Sequence, residues 1–401
     1  MAGKKRSYAG NKPAIMKQNR RGIHFSKITI NNFRCFNDFS IDSLERINLI
    51  GGKNNVGKTA FLEALFLLLN TTNARALFTI NAIRGIEKYE GDVSLIREAL
   101  WSHLFNKFYE SKMISIISEL ETGSNLSLTI EQSYGVPAIL QISEPIQNQY
   151  LLQPVDSSIT LPTGTVSQEI ISPEKSFSGY RALKLTYHVP SGKKYSVTLQ
   201  VDANGIQIPL QILNPIFPHS FLSAKFRSTQ QEMAKRLGQL EISKSHYNLL
   251  NALQIVEPKL NKISSIPGAS GSMIYGDISI GRMLPLSTMG EGLSGLTSIL
   301  LSIASSSNGI VLIDEIENGL HYSVLVKIWQ AIAEAARLYN TQVFATTHSW
   351  ECIKAAHEAF QRGDIYDFRY HRFQESNGEI VAVTLDKDVL QTNIESGWEI
   401  R

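Results

Sequence analysis

Residues 52–59 read Gly52-Lys53-Asn54-Asn55-Val56-Gly57-Lys58-Thr59, the pattern G-x-x-x-x-G-K-[ST]. Each residue type has a task in that pattern. The glycines let the backbone curl until successive N–H groups face one anion, and the positive end of the following helix adds to the attraction. Lys58 neutralises phosphate oxygens, and the Thr59 hydroxyl, followed by Ala60, completes the shell of a Mg2+ ion. The flanks agree. Ile47-Asn48-Leu49-Ile50 is a short strand running into Gly51-Gly52, and Thr59 to Leu69 is helical, with Phe61, Leu62, Leu65, Phe66 and Leu69 at helical spacing. Strand, loop and helix in this order make a phosphate site for a nucleotide with Mg2+.

The second half of such a site lies far along the chain. Ile310-Val311-Leu312-Ile313-Asp314-Glu315 opens with four apolar β-formers, as suits a parallel strand buried on both faces. Its carboxyl end delivers two adjacent carboxylates to the edge where ligands sit in such sheets. Asp314 is the candidate Mg2+ residue and Glu315 the candidate that polarises the attacking water. Standing alone, the pair would be a polar strand end; beside the phosphate loop it reads as the apparatus of nucleotide hydrolysis.

The 401 residues suggest two to three units at about 150 residues each. Composition is that of a globular protein, with 43% hydrophobic and 19% charged residues. Two cysteines, Cys35 and Cys352, make no disulfide framework and fit a reducing cytoplasm. No apolar run approaches the roughly 20 residues that span a bilayer. No signal peptide is expected after the basic N-terminus. The net charge of +3 conceals an asymmetry, because residues 1–21 hold seven basic and no acidic residues. That segment reads either as a solvated, disordered tail or as a phosphate-binding arm.

Outward from the two motifs, Ile28 and Ile30 alternate in a strand, a turn is expected at Asn31–Asn32, and Phe39–Ile41 resumes a strand. Residues 75–118 read as helix and loop. Between 125 and 210 the period becomes two, with turns at Ser191-Gly192 and Asn204-Gly205 and an exposed Ser/Pro/Thr-rich loop over 147–179. Residues 225–263 read as a helical pair. The resulting division is a basic tail over 1–21, a first part of an ATPase head over 22–120, a β-rich insertion over 121–215, a helical insertion over 216–267 and the rest of the head over 268–401. The fold class is α/β, a split P-loop head.

Three more elements narrow the class. Ser287-Thr288-Met289-Gly290-Glu291-Gly292 precedes a helix, Glu317-Asn318-Gly319-Leu320-His321 follows the acidic pair, and Gln342 to His348 is a strand ending at a histidine. Singly, the first would be a plain helix cap and His348 a packed histidine. Together they resemble the ABC-type ATPase heads of the SMC, Rad50 and RecF group, and within it the OLD-like AAA ATPases. The resemblance covers about 24–70 and 250–401, including Ile30-Asn31-Asn32-Phe33-Arg34-Cys35-Phe36, Leu253 to Pro258, Thr346-Thr347-His348-Ser349 and Glu399-Ile400-Arg401.

The resemblance implies that Ser287, Gly290 and Gly292 form a signature turn reaching the γ-phosphate held by an opposing subunit. It implies that Asn318 to His321 link the two sites, that His348 senses the γ-phosphate and that Arg34 lies near the nucleotide. A glutamine loop is not placed, and no heptad run would make the long coiled coil of SMC proteins. The 53 residues after His348 are too few for a Toprim nuclease domain with its own core. The implied protein is a homodimer or higher homo-oligomer whose heads sandwich ATP. It would gate a separate effector, a nuclease or toxin, as in the stand-alone ATPase subunits of two-component anti-phage systems of PARIS or Septu type. A RecF-like clamp on DNA and an ATP-binding scaffold with little turnover are the alternatives.

Overall fold

The structure is a computed structural model and describes residues 24–134, 140–142, 181–202, 205–209, 214–224, 228–268 and 271–397. The basic segment 1–21, the 147–179 loop, Asn204 and Glu399–Arg401 lie outside the described residues.

The chain begins with β1 (Phe25–Phe33), β2 (Phe36–Ile41), β3 (Ile47–Gly52), α1 (Lys58–Leu69), α2 (Ala76–Ile83) and α3 (Val93–Leu100). A run of strands follows: β4 (Ile114–Leu120), β5 (Asn125–Tyr134), β6 (Leu140–Ile142), β7 (Arg181–His188), β8 (Lys194–Asp202), β9 (Gly205–Gln207) and β10 (His219–Leu222). Two helices, α4 (Gln230–Ile242) and α5 (His246–Val256), lead to the hairpin of β11 (Lys262–Gly268) and β12 (Gly271–Asp277) and to β13 (Leu284–Pro285). The last third holds α6 (Glu291–Ser305), β14 (Ile310–Ile313), α7 (Leu325–Leu338), β15 (Gln342–Thr346), α8 (Trp350–Gln361), β16 (Phe368–Ser376), β17 (Glu379–Leu385) and α9 (Lys387–Glu395).

Two large sheets organise these elements. The first runs β2-β1-β4-β5-β7-β8-β6 and is antiparallel, with β9 added to β8. The second runs β10-β14-β15-β3-β16-β17; its first five strands are parallel and β17 is antiparallel. Ends of the chain meet in this second sheet, since β3 from the first fifth lies between β15 and β16 from the last. That is the split α/β head.

Helix α1 lies between the sheets, in contact with β4 and β5 on one side and β3, β14 and β15 on the other. A helix apolar all round is a helix buried all round, and Phe61, Leu62, Leu65, Leu67 and Leu68 are all fully buried. Alternation along β14 serves two cores at once. Ile310 and Leu312 join the core around α1, whereas Val311 and Ile313 join the core beneath α5, α6, α7 and α8.

Three local expectations are corrected. The β1–β2 turn sits at Arg34–Cys35, not Asn31–Asn32: β1 continues to Phe33, which pairs with Phe36. Asn32 takes a left-handed φ of 56° within the strand while its amide donates to the Lys112 carbonyl. Ile114–Leu120, within and just beyond a stretch read as helix and loop, is the strand β4 beside β1. The consecutive Ile116-Ile117 had blurred its alternation. The stretch expected to be helical from 216 opens with β10, which pairs with β14 along Asp314's own strand. The β-rich stretch after 121 continues the sheet begun by β1 and β2. The helical pair is as expected: Thr229 and Glu232 form a capping box at α4, and α5 stops two residues short of Pro258.

Candidate active site

The phosphate loop joins β3 to α1 and depends on two glycines. Gly52 has φ 137°, and a Cβ there would lie 2.3 Å from the Phe373 carbonyl oxygen. Gly57 has φ 88°, and its Cβ would lie 2.5 Å from Cys35 Sγ. Side chains at either place would be strained and would collide with β16 or with the β1–β2 turn. Lys58 is buried and donates from Nζ to the carbonyls of Gly52 (2.7 Å) and Lys53 (2.8 Å), which holds the ammonium inside the curl.

Desolvation lowers the Lys58 pKa to about 8, against the opposing pull of Asp314, Glu315 and Glu317. Phosphates need the protonated form. Above pH of about 8 nucleotide binding must therefore bring a proton with it, and affinity is expected to fall by up to about tenfold per pH unit. Titration calorimetry in buffers of different ionisation enthalpy checks this; a flat affinity from pH 7 to 9.5 would contradict it.

The acidic pair sits at the end of β14. Asp314 accepts from Thr59 Oγ1 at 3.2 and 3.1 Å and from Thr346 Oγ1 at 2.6 Å. Burial raises its pKa, and the two hydroxyl donors oppose that rise. The hydroxyl of Thr59 and the carboxylate of Asp314 thus converge from α1 and β14. Hard oxygen donors, few in number and beside a phosphate loop, fit Mg2+, which takes one or two protein ligands and the rest from phosphates and water. Among the described residues no cluster of three or more His, Cys, Asp or Glu side chains forms an all-protein metal site.

Glu315 adopts φ 51°, a left-handed conformation costly for a residue with a side chain and typical of functional positions. Its N–H donates to Thr346 Oγ1 at 2.8 Å, so one hydroxyl serves both carboxylate residues. Its carboxylate is fixed by Asn318, whose amide donates to Oε2 at 2.7 Å, and it faces His348 Nε2 at 3.4 Å from Oε1. Glu317 orients the histidine segment, accepting from the backbone N–H groups of His348 (2.7 Å) and Ser349 (3.1 Å).

A cavity of about 580 Å3 opens beside the loop and Glu315, and Asp314 is not among its lining residues. Asn54, Asn55, Gly57, Lys58, Thr59 and Ala60 line it, with Glu315, His348 and Arg34. Gly52, Lys53 and Val56 belong to the loop but are not among the lining residues. The Ser287–Gly292 turn is elsewhere: a 3-10 turn at Leu286–Met289, then Gly290 at φ 116°, then α6. Ser287 and Gly290 are exposed and do not border the cavity of their own chain. A Cβ on Gly292 would approach the Gly319 carbonyl to 3.8 Å, which places the start of α6 against the Asn318–His321 loop.

Several wall residues carry no motif. Arg84, His103, Phe105, Lys107 and Phe108 complete the lining. Burial, with Arg34 nearby, holds the His103 pKa down at about 4, so its ring is neutral and its Nε2 donates to Asn81 Oδ1 at 2.9 Å. The Asn81 amide fixes that assignment by donating to the Leu100 carbonyl.

A phosphate loop opening a buried helix, with an acidic pair delivered beside it by a parallel strand, defines a P-loop ATPase. The chain belongs to the AAA ATPase domain family, whose sequence profile matches residues 24–134 and 200–353. A Helicobacter pylori protein described as an ATP/GTP phosphatase is 23% identical over 355 residues, which is 84% of this chain and 88% of that protein. The DNA replication and repair protein RecF of Nitrosococcus oceani is 30% identical over 81 residues, 20% of this chain and 22% of RecF. A solved SMC head bound to the C-winged helix domain of ScpA superimposes with a TM-score of 0.46 at 12% identity, covering 93% of this chain and 100% of that one. No helix among the described residues is long and apolar enough to cross a membrane.

Proposed function

We propose that the protein is a dimerising ABC-type ATPase in which two copies close face to face around ATP and part after hydrolysis. The observation that supports this best is the position of Ser287–Gly292. The turn opens a 15-residue helix, exposes N–H groups and a hydroxyl, and lies apart from its own subunit's cavity. A second copy would bring a γ-phosphate to it. Closure there would press on the Asn318–His321 loop against which α6 begins, and Asn318 holds Glu315.

In the closed state the loop N–H groups and Lys58 bind the β- and γ-phosphates. Thr59 and Asp314 would hold Mg2+, which supplies neutralisation of phosphate charge. Glu315 orients the attacking water and accepts its proton, and His348 stands beside Glu315 on the γ-phosphate side. Arg34 reaches the nucleotide from the β1–β2 turn.

Replacing Ser287 by arginine is the test. The larger side chain is expected to block closure, lowering ATP turnover by roughly tenfold or more and removing the ATP-dependent dimer. One-head affinity for ATP should stay within about twofold, because the turn is not part of that cavity. Loss of ATP binding by the monomer would mean that the turn serves its own subunit.

The resemblance to stand-alone ATPase subunits of two-component anti-phage systems supports the downstream role. The closed pair would hold a separate nuclease or toxin, and opening would release it. A second reading, ATP-dependent clamping of DNA, is favoured by the RecF similarity. Duplex binding that needs ATP and weakens linearly with the logarithm of salt concentration would select it.

A further inference from the structure

Helix α1 carries one charged side chain beyond its first turn, and that side chain is wholly buried. Glu63 has no exposed surface, yet it accepts from Arg84 Nε at 2.8 Å and Arg84 Nη2 at 3.0 Å, and pairs with Arg34 Nε at 2.9 Å. Three elements are joined by this carboxylate: the β1–β2 turn, α1 and the C-terminal end of α2. An ionised carboxylate in a dry site demands a partner, but one arginine would satisfy it. Two leave a surplus positive charge.

That surplus faces the cavity. Arg34 and Arg84 both border it, as do Lys58 and Thr59. Arg34 is 9% exposed, and its Nη2 is buried without a hydrogen-bond acceptor among the described residues. A buried guanidinium N–H left unmade is costly, and a turn of the Arg34 side chain toward an anionic oxygen in the cavity would satisfy it. Arg84 is 38% exposed, so its outer face is open to a ligand while its inner edge stays locked on Glu63. The geometry resembles a clamp with a fixed base: the carboxylate sets the direction of both forks, which a rigid guanidinium can follow and a lysine cannot.

We infer that Arg84 binds the phosphate chain of the nucleotide together with Arg34, and that Glu63 is the positioning residue that holds the two arginines as a pair. This rests on the reading of the cavity as the nucleotide site. Among the described residues the hydrogen bonds and ion pairs of Glu63 go to Arg34 and Arg84 and not to the acidic pair, so the two arginines act on binding rather than on water activation.

The experiment titrates full-length protein with ATP and Mg2+ by calorimetry, alongside steady-state kinetics and thermal melting. Arg84→Gln is expected to weaken ATP binding about tenfold and to raise KM with kcat little changed. Arg84→Lys should recover only part of the affinity, since it restores charge without the fork. Glu63→Gln should give the same KM effect in any fraction that folds; Arg84, being partly exposed, keeps the test open if it does not fold. Wild-type affinity in Arg84→Gln, with only a lowered melting temperature, would overturn the inference and leave the triad a structural clip. Lys58→Ala serves as the control: if wild-type protein binds no ATP, or Lys58→Ala binds as well as wild type, it is the nucleotide-site reading that fails.

Discussion

Lys58→Ala is expected to abolish measurable ATP binding while leaving the head folded. The ammonium is buried at the mouth of α1 and is held by two backbone carbonyls of the loop it serves. Phosphate oxygens would replace those carbonyls, each as a charge-assisted contact contributing about 1.5–3 kcal/mol. Losing two such contacts weakens binding by roughly 100-fold or more. The fold should tolerate the change. Burying the charge costs free energy that alanine recovers, which offsets the two lost hydrogen bonds, and the loop's shape is set by Gly52 and Gly57 rather than by the lysine. Calorimetry with ATP and a melting curve test both parts. Affinity within tenfold of wild type would remove the loop from its assigned role.

Glu315→Gln is expected to do the opposite: binding survives and turnover falls by roughly 100- to 10,000-fold. Glutamine keeps the shape, and its amide oxygen can still accept from Asn318. It cannot take a proton from water. Thr346 continues to receive the residue 315 N–H, so the strained backbone at φ 51° stays anchored. With ATP bound and not cleaved, the closed pair should accumulate. Phosphate release and light scattering after mixing with ATP measure the two effects separately. Wild-type turnover would displace Glu315 as the base, and a monomer saturated with ATP would sink the clamp.

The parts of the site legible from sequence are those in which chemistry and position travel together on a short segment. Loop residues 52–59 declare themselves because strand, turn and helix are contiguous, and Ile310–Glu315 does so because an apolar run ends in two carboxylates. The unread parts depend on contacts across the chain. Thr346 links Asp314 to Glu315 only because β15 lies next to β14, and nothing about a threonine at a strand end announces that. Arg84 follows a short apolar helix, and its role is set by a carboxylate 21 residues earlier. Strand β10 hid because its four residues sit just before a polar helical stretch, and only pairing with β14 identifies it. Arg34 stands out only through family resemblance, and its buried partner Glu63 lies on another element.

Helix α1 has no solvent face along which to slide. Its apolar surface is gripped by one sheet on each side, and Glu63 pins it to the β1–β2 turn and to the end of α2. Adjustment to nucleotide release is therefore confined to the hinge at residues 52–57, or else both sheets turn with the helix as one rigid lever. Amide exchange separates the two: a hinge would alter protection only in the loop, whereas a lever would carry the change through the helix into β4 and β5.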